Sequence, residues 1–181
     1  MRTPNYIDVT KEYWETRNVV CHLSTSYNNS NVVYACVFNF LNWHPAWWGL
    51  QNKDSVVFTD MCRGAVFLPM YYNKGKLIPA GYPVASGYNN VLVLKPDIIN
   101  THTIHLTEQE HYLVFRSEKK YKLYYWDKAW KFLGEKTGDA NVKEMVFDNI
   151  PRNALLLLVP EYSQHKERPF SITDEGKRLW W

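Results

Sequence analysis

Three cysteines and six histidines are the residues of this chain best suited to covalent or metal chemistry. Nucleophilic catalysis needs Cys or Ser beside a His base, with a carboxylate to orient the imidazole. Cys62 or Cys36 with His22, His44 or His105 supplies the residue types, and a Cys-dependent enzyme built on them is one reading of the chain. No nucleophile motif accompanies them, and Gly-x-Ser-x-Gly is absent. Metal binding has one weak signal, His102-x-x-His105, whose three-residue spacing on a strand sends the two rings to opposite faces. No calcium loop, Gly-rich phosphate cradle or favoured carboxylate pair is present, so the chain is expected to have no catalytic residue, no metal site and no cofactor.

Aromatic surface is the remaining chemistry. Eight Trp, 13 Tyr and 8 Phe make up 16% of the residues. Flat rings stack on sugars or bury against another domain. Trp47, Trp48 and Trp126 have no counterpart in the repeat described next, and they are the expected ligand-binding faces.

Those rings must be carried by a scaffold, and the chain writes part of that scaffold twice. Val57-Phe-Thr-Asp-Met-Cys-Arg-Gly-Ala-Val-Phe-Leu68 returns 89 residues later as Val146-Phe-Asp-Asn-Ile-Pro-Arg-Asn-Ala-Leu-Leu-Leu157, with five identities in twelve positions. Tyr34, Phe38 and Trp43 answer Tyr121, Tyr125 and Trp130 at a spacing of 87, and Tyr72, Lys76 and Pro79 answer Tyr162, Lys166 and Pro169 at 90. Ile7 to Thr10 resembles Ile104 to Thr107. These echoes predict an internal duplication with units at 1–100 and 101–181.

Short runs rich in Val, Tyr, Phe and Trp, punctuated by Gly, Asn, Asp and Pro, predict strands throughout both units. In the second unit they are expected near 111–117, 120–127, 129–133, 143–148, 153–159, 167–173 and 177–181. No amphipathic helix of ten residues stands out. The fold class is therefore all-β, with two tandem antiparallel β-sandwich units, Ig-like and jelly-roll arrangements both remaining open. The duplicated phrase reads as a hairpin. Asp60 or Asn149 bonds its own turn, Gly64 or Asn153 takes a left-handed conformation, and Arg63 or Arg152 is a structural turn residue.

The 21 basic and 18 acidic residues, net +3, are dispersed rather than blocked, which argues against nucleic acid as a partner. No run of 18 apolar residues is present, so no transmembrane segment is expected, and Met1 to Tyr6 lacks the apolar core of a signal peptide. Cys21, Cys36 and Cys62 are odd in number and confined to the first unit, which leaves buried free thiols or a Cys21–Cys36 bridge.

Tyr34-Ala-Cys-Val-Phe-Asn, Trp43-His-Pro-Ala-Trp-Trp, the stretch from Val66 to Gly81, Tyr124 to Gly134 and the closing Gly176-Lys-Arg-Leu-Trp-Trp181 carry a resemblance. They resemble the C-terminal β-rich region of secreted gut-bacterial proteins of Bacteroidetes type that bear an upstream transglutaminase-like domain. The resemblance implies a Cys-His-Asp papain-like site in that upstream domain and none in this chain. It further implies a secreted, periplasmic or cell-envelope setting, with the tandem β-sandwich as a non-catalytic accessory module. That module would bind or position a carbohydrate, a glycoprotein or the adjacent catalytic domain. A purely structural spacer is the third reading.

Overall fold

The computed structural model describes residues 16–22, 33–38, 44–52, 55–62, 66–86, 91–111, 114–163, 167, 169–173, 176 and 178–180. The chain divides between Val93 and Leu94 into two compact units. The division falls ahead of residue 100 because the strand beginning at Asp97 pairs within the second unit.

The described part of the first unit runs β1 (Thr16–His22), β2 (Val33–Phe38), β3 (His44–Trp48), β4 (Leu50–Asn52), β5 (Ser55–Cys62), β6 (Val66–Asn73), β7 (Lys76–Pro79), β8 (Val84–Ser86) and β9 (Val91–Val93). The second runs β10 (Asp97–Thr107), α1 (Glu108–His111), β11 (Lys120–Trp126), β12 (Trp130–Thr137), β13 (Glu144–Arg152), β14 (Leu156–Pro160), β15 (Phe170–Ile172) and β16 (Arg178–Trp180). Every strand pairing among the described residues is antiparallel. The protein is all-β and sandwich-like.

Each unit has a small and a large sheet. The small sheets are β1-β5-β4 and β10-β13, and the large ones are β3-β2-β6-β8-β9, with β7 also on β6, and β12-β11-β14-β15-β16. In the second unit the two sheets face each other across one apolar cluster. Ile104, Leu106, Met145, Phe147 and Ile150 come from the small sheet, and Tyr121, Leu123, Leu156, Leu158 and Phe170 from the large one. Such burial, at about 25 cal/mol per Å² of apolar surface, is what holds a two-layer fold of this size together.

The ladders of the two units run in the same register. Cys36 opposes Pro69 and Phe38 opposes Phe67; at shifts of 87 and 89 residues, Leu123 opposes Leu158 and Tyr125 opposes Leu156. The irregularity between Cys36 and Val37 in the β2–β3 ladder recurs between Leu123 and Tyr124 in β11–β12. In the small sheets Val19 opposes Phe58 as Ile104 opposes Phe147. Ile104 to Thr107 therefore take the place of Val19 to His22. The expected partner, Ile7 to Thr10, lies outside the described residues.

The repeated phrase is not a hairpin. β5 pairs with β1 and β4 while β6 pairs with β2, β7 and β8, so the phrase crosses from one sheet to the other; β13 and β14 do the same. Asp60 (φ 55°) and Asn149 (φ 59°) are left-handed inside their strands, each at a β-bulge that adds one residue opposite the partner strand. Asn and Asp tolerate that region better than other residues with a Cβ. The bulge bends the strand toward the corner, and Asn153 (φ 50°) makes the turn beyond it. Arg63 and Gly64 lie outside the described residues. Val66, Phe67 and Leu68, like Ala154, Leu155 and Leu156, are buried whichever way they point, as an uninterrupted apolar run requires.

Among the described residues of 111–117, His111 and 114–117, there is no strand. α1 stands at its start because Thr107 caps that helix. The Thr107 hydroxyl accepts from the Glu110 amide at 3.3 Å and donates to its carboxylate at 2.7 Å.

Candidate functional site

Trp48 ends β3 with 56% of its surface exposed. The next residue decides its direction. A Cβ built on Gly49 would lie 2.0 Å from Val56 Cγ1 and 2.9 Å from Phe58 Cε1, both side chains of the fully buried core. Gly49 thus faces inward, and the period of two in an extended chain turns Trp48 and Leu50 outward. Leu50 (68% exposed) opposes Val57, which opposes Val20. The outer face of the small sheet consequently carries an apolar row, Leu50, Val57 and Val20, with Trp48 at its entry.

Trp47 stands opposite Cys36 along the backbone, and its side chain lies outside the described residues. Trp126 is not an exposed face. It is buried, with its ring edge-to-face on Trp130 at 5.3 Å, so lack of a repeat counterpart did not mean exposure. The ring that sequence reasoning missed is Phe132, 56% exposed and edge-to-face with Tyr124 at 5.7 Å. Ordinary strand alternation explains it: Phe132 opposes Tyr124 on the outer face, and the next residue, Leu133, packs on the core. Lys120 lies 2.8 Å and Lys122 3.9 Å from the Glu135 carboxylate on the neighbouring rungs. The bond to Glu135 raises the Lys120 pKa.

Arg152 and Asn153 help line an open depression of about 790 Å³ with Lys95 and the segment from Asp97 to Asn100. Asp97 organises it. Its carboxylate accepts from the Ile99 and Asn100 amides at 3.1 and 3.0 Å and from the Asn100 side chain at 2.7 Å. Those bonds, the Asn100 side chain first, hold the Asp97 carboxyl below its ordinary pKa, and the Arg152 charge adds to the shift. Asn153 Nδ2 donates to the Lys95 carbonyl at 3.3 Å, tying the sheet-to-sheet corner to the start of β10. That bond and its left-handed backbone give Asn153 a structural role.

A third cluster surrounds Arg178, whose side chain is 7% exposed. It donates to the His105 carbonyl at 2.9 Å, pairs with Glu110 at 2.6 Å and lies over the Phe170 ring. His111 packs edge-to-face on the same ring, and burial, reinforced by the Arg178 charge, pushes its pKa down to about 3. His105 Nδ1 lies 3.0 Å from the Glu144 carboxylate on the exposed face of β10–β13.

Of the expected alternative, a Cys nucleophile with a His base, the side chains of Cys36, Cys62, His22 and His44 lie outside the described residues. Along the backbone Cys36 and Cys62 stand on different sheets of the first unit. Among the described residues no three His, Cys, Asp or Glu gather as metal ligands, and no helix is long and apolar enough to cross a membrane. No protein-family model, curated protein or solved structure matches this chain.

Proposed function

We propose that the chain is a duplicated pair of β-sandwich units and serves as a non-catalytic accessory module, docking through the first unit onto an adjacent domain of a secreted or cell-envelope protein. The observation that carries the docking is the outward row of Leu50, Val57 and Val20 beside Trp48. The corresponding place in the second unit keeps the valine, Val146, but has no strand equivalent to β4 among the described residues and carries His105, bonded to Glu144, where Val20 stands. Apolar rows on the outer face of a sheet favour contact with protein rather than water. Equal strand order and equal register support a duplicated gene segment, and the resemblance of the sequence phrases supports the envelope setting.

The test is to add the domain encoded upstream in the same reading frame, as a separate chain, to the wild type and to a Trp48→Ala, Leu50→Lys variant. The reading predicts binding by the wild type and its loss in a variant whose melting temperature is unchanged. Equal binding by both chains contradicts it, as does a reading frame with no upstream domain.

Phe132 with Tyr124 favours a second reading, a carbohydrate subsite. A half-exposed flat ring beside the Lys122 and Glu135 side chains suits stacking on a sugar whose hydroxyls hydrogen-bond to the charged groups. A glycan array probed with wild type and Phe132→Ala tests it; signals lost only in the variant support the subsite, and identical arrays contradict it.

A further inference from the structure

Among the described residues β13 has a strand on one side only. In the first unit the corresponding strand, β5, is covered on both edges. β1 pairs along one edge, and along the other Leu50, Gln51 and Asn52 of β4 oppose Val57, Val56 and Ser55. At the shared register those three positions of β5 become Val146, Met145 and Glu144 of β13, and among the described residues no strand pairs with them except β10. The chain ahead of β13 uses its amides elsewhere. Ala140 N–H donates to Ser117 Oγ at 3.1 Å, Asn141 N–H to Asp139 Oδ1 at 2.9 Å and Val142 N–H to the Asp139 carbonyl at 3.0 Å.

We propose that this free edge of β13 is a strand-addition site for an extended, basic peptide segment of a partner protein. The molecule itself shows what fits the edge: a short antiparallel strand with an apolar side chain opposite the central valine, as Leu50 is opposite Val57. Charge decides the flanks. Glu144, Val146 and Asp148 share the outer face of β13 by the period of two, the acids exposed and the valine half-buried between them. An incoming strand that places Leu opposite Val146 and Lys two residues to either side meets both carboxylates. The same two acids disfavour pairing with the β13 edge of a second copy, because like charges would then oppose one another. This site is independent of the docking face on the first unit.

The probe is a fluorescein-labelled nonapeptide, Gly-Ser-Lys-Thr-Leu-Thr-Lys-Ser-Gly, titrated with the full chain and read by anisotropy, with Glu replacing both Lys in a control. Saturable binding of the Lys peptide alone is expected, together with slowing of amide exchange at 144–147 by about tenfold or more at saturation. A Glu144→Lys, Asp148→Lys variant should exchange the preference and take the Glu peptide. Alternate amides of 144–147 already donate to β10, so the readout is confined to those that point to the other edge. Three results overturn the proposal: no anisotropy change with a folded chain, slow exchange of those outward amides already in the free monomer, or a dimer in sedimentation whose formation protects them. The last would assign the edge to a second copy.

Discussion

The two units agree in strand order and ladder register and part company at one residue. After β3 the first unit leaves the large sheet at Gly49 and lays β4 on β5; after the equivalent rungs the second unit stays put, and β12 continues through Lys136 and Thr137 beside Tyr121 and Lys120. Gly49 and Lys136 hold the same place in the register. A backbone passing against Val56 and Phe58 leaves no room for a Cβ, so only the unit with glycine can cross there. One crossing has two consequences: it places the outward Trp48 and Leu50 on the first unit, and its absence leaves that edge of β13 without a strand among the described residues.

Removing the crossing is the largest perturbation available. Gly49→Ala puts a methyl where fully buried core stands and should cost about 4 kcal/mol of unfolding free energy, measured by urea titration, while Lys136→Ala changes it little. Equal effects at the two positions would break the comparison.

Acid sharpens it next. His111 has a folded pKa near 3 against an ordinary value of 6.5. The neutral form is favoured by folding, so its contribution is fully present above pH 6.5 and is lost as pH falls from there toward 3. The loss is at most about 5 kcal/mol. Urea titrations at several pH values should show it, and His111→Phe should flatten the slope over that window.

Arg178 stands where the first unit has Val91. Arg178→Leu gives up the bond to the His105 carbonyl and the contact with Phe170, for about 2 kcal/mol; the Glu110 pair, half-exposed on the carboxylate side, contributes little of that. A smaller, paired effect belongs to the bulges. Asp60→Val and Asn149→Val each force a β-branched residue into a left-handed backbone and should each cost about 1–2 kcal/mol, whereas the glycine variants are near neutral. Unequal costs at the two bulges would argue that only one of them is needed.

How much of this was legible depended on whether burial or geometry decided the element. The corner phrase could be read because its core residues, Val66 to Leu68 and Ala154 to Leu156, are apolar in both copies. The all-β class followed from strand chemistry along the whole chain. β10 could not be read at its start: from Ile98 to Thr101 its residues are exposed and without alternation, and only Ile104 and Leu106 reach the core. β4 is too short for a pattern to emerge. Thr107 and Glu110 did carry a helix signal, the capping box, which the apolar residues after His111 concealed. Of the rings named from the sequence, Trp48 is exposed and Trp126 is buried, while Phe132, not named, is exposed. Ring exposure there is set by Trp130 packing on Trp126 and by the face that the pairing with Tyr124 gives Phe132, and neither leaves a mark in composition.

The account rests most heavily on equal ladders with one strand moved. Nuclear Overhauser contacts between backbone protons across the small sheets test it directly. The account predicts contacts for Val19–Phe58 and Ile104–Phe147 alike, a further set joining Leu50 to Val57, and none joining Val146 to any residue of 137–141. A strand beside Val146 from that segment, or no contact between Leu50 and Val57, would contradict it.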